Sequence, residues 1–125
     1  MERKVEGMTE KDEQKKLFAW AQYRPDLKLM THIPNEGRRS VQHTMEMLRM
    51  GMKPGFPDII LPVARGGYHG LFIEMKRRIG GRSTPEQKEW QRALLEEGYA
   101  ACVCKGFDEA RETIEWYLRL KEGRR

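Results

Sequence analysis

Pro57-Asp58-Ile59-Ile60-Leu61-Pro62-Val63-Ala64-Arg65-Gly66-Gly67-Tyr68-His69-Gly70-Leu71-Phe72-Ile73-Glu74-Met75-Lys76 is the stretch on which the fold turns. Ile59 to Val63 and Gly70 to Ile73 are apolar runs, and Arg65-Gly66-Gly67-Tyr68-His69 between them is a turn. Two strands folding back near Gly66-Gly67 pair antiparallel and set residue 58 beside residues 74 to 76. Period-2 alternation puts Phe72, Glu74 and Lys76 on one face and Leu71, Ile73 and Met75 on the other. Asp58, Glu74 and Lys76 then converge at one end of the hairpin. Two carboxylates and an ammonium crowded together are unfavourable unless something compensates, and a divalent cation would do so.

Lys53-Pro54-Gly55-Phe56-Pro57 is a rigid turn that delivers the chain into this hairpin. Further upstream, Thr9 is positioned to cap a helix whose first turn carries Glu10 and Asp12, running to about Tyr23 and stopped by Pro25. A strand is expected over Lys28 to Ile33, then a polar loop, Asn35-Glu36-Gly37-Arg38-Arg39. Ser40 caps a second helix ending near Met50, with Gly51 as its stop. Downstream of Lys76 comes a basic loop, Arg77 to Arg82. Thr84-Pro85-Glu86-Gln87 then reads as a capping box with proline at the first helical position. That helix stops at Gly98, Tyr99 to Cys104 is a strand, and Asp108 begins the last helix. The order α, β, α, β, β, α, β, α predicts an α/β fold around a mixed four-stranded sheet flanked by helices.

The 125 residues suit one domain over 1–125, with loose termini at 1–8 and 121–125, and can bury one core without staples. Lys and Arg number 24 against 19 Asp and Glu, a formal net charge of +5 that favours a polyanionic partner. Cys102 and Cys104, one residue apart in a strand-like run, suit neither a disulfide nor half a zinc site, and read as buried thiols of a reducing compartment. No run approaches the roughly 20 apolar residues of a membrane span, and the charged Met1-Glu2-Arg3-Lys4 start has no signal-peptide core behind it. A cytoplasmic protein is expected.

Glu13 shares a helical stripe with Leu17 and Ala21. A carboxylate facing a core must find a partner there; one at the edge of the stripe would be a solvated charge. Met45, Leu48 and Met52 lie at helical spacing and read as core or an interface. Trp90, Trp116, Tyr117 and Leu118 also read as core or dimer surface, and His69 lies in the hairpin turn, within possible reach of a substrate.

Taken together, Glu13, the Pro34-Asn35-Glu36-Gly37-Arg38 loop, Gly55-Phe56-Pro57-Asp58, Phe72-Ile73-Glu74-Met75-Lys76, and Ser83 with Gln87 and Trp90 resemble the PD-(D/E)xK nuclease superfamily. More specifically, the chain resembles a VRR-NUC domain of the small stand-alone type of bacteriophages and bacteria, from about Lys11 to Leu118. The resemblance implies a restriction-endonuclease-like core and DNA cleavage with Mg²⁺ or Mn²⁺ in a bacterial or phage-infected cell. It makes Asp58 and Glu74 the principal metal ligands, with the Met75 carbonyl and Glu13, directly or through water, completing the set. Lys76 orients or activates the attacking water, and Gln87 positions Lys76 or a phosphate. Arg38, Arg39, Lys53, Arg65, Arg77, Arg78 and Arg82, all in loops, would neutralise DNA phosphates.

The stand-alone form resembles compact resolvases of four-way (Holliday) junctions, and two symmetric nicks imply a homodimer. The alternatives are a flap- or nickase-type nuclease acting as a monomer, and a non-catalytic DNA-binding module on the same fold. Retention of Asp58, Glu74 and Lys76 disfavours the last.

Overall fold

The computed structural model describes residues 8–34 and 40–122. In chain order the elements are α1 (Glu10–Ala21), a 3₁₀ turn (Pro25–Leu27), β1 (Thr31–His32), α2 (Val41–Arg49), β2 (Ile59–Leu61), β3 (Leu71–Lys76), α3 (Pro85–Glu96), β4 (Ala100–Lys105) and α4 (Gly106–Leu118). The sheet order is β1-β2-β3-β4. β1 with β2 and β2 with β3 pair antiparallel, and β3 with β4 pairs parallel, the crossover being α3. This is the mixed four-stranded α/β architecture that the residue pattern predicts.

The hairpin registers as expected: Ile59 opposes Ile73 and Leu61 opposes Leu71, so Asp58, one residue before β2, meets the Glu74 end of β3. β2 is shorter than the apolar run because Pro62 has no N–H to donate to a ladder. β3 is buried along its whole length, on both faces. Ile59, Leu61, Leu71, Ile73 and Met75 pack in one core with Leu17 and Ala21 of α1 and Phe107, Ala110, Ile114 and Tyr117 of α4. Burial of each large apolar side chain contributes roughly 1.5–3 kcal/mol. On the opposite face Phe72 lies edge-to-face on Phe56 at 5.5 Å, and Phe56 on Trp90 of α3 at 4.8 Å.

The predicted capping box of Thr84 with Gln87 forms on α3, and Thr9 caps α1 as expected, closing a second box with Asp12. Three expectations are corrected. The strand expected from Lys28 shrinks to Thr31–His32, because Leu27 N–H bonds Arg24 C=O and Met30 N–H bonds Leu27 C=O, turning Leu27 and Met30 into the core. α4 starts at Gly106 rather than Asp108, since Glu109 Oε1 accepts from Lys105 N–H at 2.7 Å and Glu13 Oε1 from Phe107 N–H at 2.8 Å. α2 buries no residue, so for Met45 and Leu48 the core half of the core-or-interface expectation is corrected: both face outward, as does Val41. Of the aromatic set, Tyr117 is core and its hydroxyl donates to Val63 C=O, whereas Trp116 is 41 % exposed.

Cys102 and Cys104 are free thiols, and burial pushes Cys104 up to about 12. Cys104 is therefore a protonated packing residue at neutral pH and not a nucleophile. Among the described residues no helix is long and apolar enough to cross a membrane.

Candidate active site

Asp58 is held by its backbone before its side chain does anything. Its N–H donates to Ile73 C=O at 3.1 Å, and its own C=O accepts from Ile33 N–H at 2.6 Å and from His32 Nδ1 at 3.0 Å. A carbonyl only accepts, so His32 carries its proton on Nδ1. The Asp58 carboxylate reaches across to β3 and accepts from Met75 N–H at 2.8 Å. Glu74 follows the strand alternation onto the face that α3 covers. There its Oε2 accepts from Gln87 Nε2 at 2.8 Å and lies 3.7 Å from Lys76 Nζ. Asp58, Glu74 and Lys76 are only 2 %, 1 % and 6 % exposed. The structure thus brings together four of the predicted residues, Asp58, Glu74, Lys76 and Gln87.

The turn before Asp58 and the start of α3 are locked to each other. Gly55 has φ +87° and runs so close to α3 that an added Cβ would stand 2.7 Å from the Glu86 carbonyl carbon and 2.9 Å from Gln87 N. Trp90 Nε1 donates to Pro54 C=O at 3.1 Å beside it. The same contact therefore sets Asp58 and Gln87 relative to one another. Gly55→Ala is expected to lose about 1–2 kcal/mol, from strain at positive φ and displacement of α3, read as a lower urea midpoint. An unchanged midpoint would show that the loop and helix slide freely.

Glu13 takes a different place from the one predicted for a ligand. It is fully buried, on the α1 and α4 side of the sheet, with three donors on its carboxylate. Arg78 gives two, Nε to Oε2 and Nη2 to Oε1, both at 3.3 Å, and Phe107 N–H gives the third. Gly106, at φ +90°, makes room for the pair, since a Cβ there would come within 3.1 Å of Arg78 Nε. The hydrogen bond that Arg78 donates to Glu13 outweighs the desolvation of its guanidinium and holds it above the usual value, so it stays charged. The core-facing carboxylate of α1 has found its partner, and the partner is an arginine.

Arg78 is accordingly a paired cation that keeps part of its side chain in solvent, and it also lies 3.7 Å from Asp108. Lys53, Arg77 and Arg82 are exposed and form no ion pair among the described residues. Arg38 and Arg39, with Asn35, Glu36 and Gly37, lie outside the described residues. Arg65 bridges Tyr68 and Glu122 in the hairpin turn, at the opposite end of the strands from Asp58. His69 shares that end, packed on Tyr99 and Gly98. His32, to which the residue pattern assigns no role, is the unforeseen neighbour of Asp58. Only the β1–β2 register reveals it.

Among the described residues no three His, Cys, Asp or Glu side chains stand together as a metal-binding group. Asp58 and Glu74 nevertheless bring two buried carboxylates against the single charge of Lys76. That excess of negative charge on hard oxygen donors fits a divalent cation such as Mg²⁺ or Mn²⁺.

Comparison with known proteins gives the family and supports the fold. The model of the VRR-NUC domain family matches residues 8–108. A solved structure described as a VRR-NUC domain protein is 36 % identical, with a TM-score of 0.82 over 93 % of each chain. No curated protein matches the sequence.

Proposed function

The chain belongs to the VRR-NUC family, and from that premise we propose that it is a metal-dependent endonuclease that hydrolyses phosphodiesters in branched DNA. The family is one of nuclease-type domains, so the class of chemistry follows from membership. What supports the finer reading is the burial of Asp58, Glu74 and Lys76 where β2 begins and β3 ends, with the half-buried Gln87 bonded to Glu74.

Asp58 and Glu74, with the Met75 carbonyl between Glu74 and Lys76, would hold the Mg²⁺ or Mn²⁺. Such an ion supplies positive charge against the phosphate and makes water a better proton donor. Lys76 sets an ammonium beside the carboxylates, where negative charge develops on the phosphate oxygens. Gln87 fixes the Glu74 oxygen that also orients Lys76. Glu13, its carboxylate already filled by three donors, keeps α1, α4 and the end of β3 in place rather than binding the ion.

Resolution of a four-way junction needs two sites, hence two copies of the chain. The open apolar stripe of α2 supports pairing. So does the apolar groove of about 400 Å³ beside it, lined by Ile33, Met47, Met52, Phe56 and Trp90. With Mg²⁺, four-way junctions should be cut faster than flaps or plain duplex, and the protein should sediment as a dimer. Equal cutting of flaps by a species that sediments as a monomer on junction DNA would instead establish the nickase reading.

A further inference from the structure

We propose that Lys105 is a DNA-phosphate contact beside Lys76. This rests on the reading that the chain cuts DNA.

The parallel register of β3 and β4 places Lys76 opposite Lys105 and Glu74 opposite Val103. Paired residues of neighbouring strands project to the same side, so Lys105 leaves the sheet on the face that carries Glu74 and Lys76, one strand over, about 4.8 Å away. That face opens towards this end: Ala101 is half-buried, Val103 is 37 % exposed and Lys105 is exposed.

The backbone of Lys105 is fixed twice. It ends the β4 ladder, and its N–H donates to Glu109 Oε1 at 2.7 Å as α4 begins. Its ammonium is a different matter, because among the described residues it takes part in no ion pair. Arg78 is the reverse case, bound to Glu13 and near Asp108. Lys76 lies against Glu74, and the cations near this end with no ion pair among the described residues are Lys105, Arg77 and Arg82. A rigidly based, unpaired lysine next to a buried lysine suits an anion that touches both. In a DNA strand that means the phosphate flanking the one at Lys76.

The test measures binding of branched DNA by an Asp58→Asn protein over a series of salt concentrations. Lys105→Ala is added to it, with Lys28→Ala, an exposed lysine at the far end of the sheet, as control. Loss of one phosphate contact should weaken binding roughly 3- to 10-fold at low salt and lower the slope of log K against log salt by about 0.9. Lys105→Arg should restore both. In the cleaving protein Lys105→Ala should raise KM and leave kcat unchanged, as expected for a flanking phosphate. A Lys105→Ala slope and affinity equal to those of the Lys28→Ala control would overturn the assignment. Absence of salt-dependent DNA binding by the Asp58→Asn protein itself would overturn the nuclease reading instead.

Discussion

Cleavage of branched DNA by an Asp58→Asn protein is expected to fall by at least about 10³-fold while the fold survives. Asparagine keeps the size of the side chain and an oxygen that can accept from Met75 N–H, the contact Asp58 makes at 2.8 Å. It removes one of the two buried negative charges that make the site suited to a divalent cation. Metal-ion assistance is worth several kcal/mol of transition-state stabilisation, and 10³-fold corresponds to about 4 kcal/mol. Glu74→Gln should be as severe, since it also strips Lys76 of its partner at 3.7 Å. Rates with Mg²⁺, beside circular dichroism to show that the variants are folded, decide the matter. A folded Asp58→Asn protein that cuts at the wild-type rate would place the reaction elsewhere.

Arg78→Ala is expected to be the most destabilising single change near the site. It leaves the fully buried Glu13 carboxylate with Phe107 N–H as the remaining one of its three described donors. Breaking a buried pair costs about 3–5 kcal/mol; here about 2–4 is appropriate, because 31 % of the Arg78 side chain keeps contact with water. For a chain of this size that lowers Tm by roughly 10 °C. Glu13→Gln should be milder, since its amide oxygen still accepts from Phe107. Glu13→Ala combined with Arg78→Ala should cost less than the sum of the two single changes. Thermal unfolding measures all four, and an Arg78→Ala Tm equal to wild type would mean that water satisfies Glu13.

What could be read directly from the residues was local. Thr84, Pro85 and Gln87 announce a helix start because the capping box closes within four residues, and it closes as expected. The hairpin register was legible because the side-chain period of two allows only one pairing that buries Ile59, Leu61, Leu71 and Ile73 together, and that register delivers Asp58 to Glu74. Glu13 was legible as a core-facing acid, but not its partner. Arg78, just past the end of β3, is brought to it by the packing of α1 against the sheet, which no local pattern encodes. Lys105 was hidden for a similar reason, because it becomes a neighbour of Lys76 only once β4 pairs parallel with β3. The outward stripe of α2 reads like core in sequence, since amphipathic spacing says which residues share a face and not what covers it.

The bond between Glu13 and Phe107 spans 94 residues of chain. Polypeptide leaves the ribosome N-terminal end first, at about 5–20 residues per second, so Glu13 emerges many seconds before its last donor exists. Throughout that interval the acid of α1 has no α4 to close upon, and the end of β3 that carries Glu74 and Lys76 is not yet secured. The fold therefore dates its own completion: a chain arrested before residue 107 carries both carboxylates and the lysine but not the clasp that sets them.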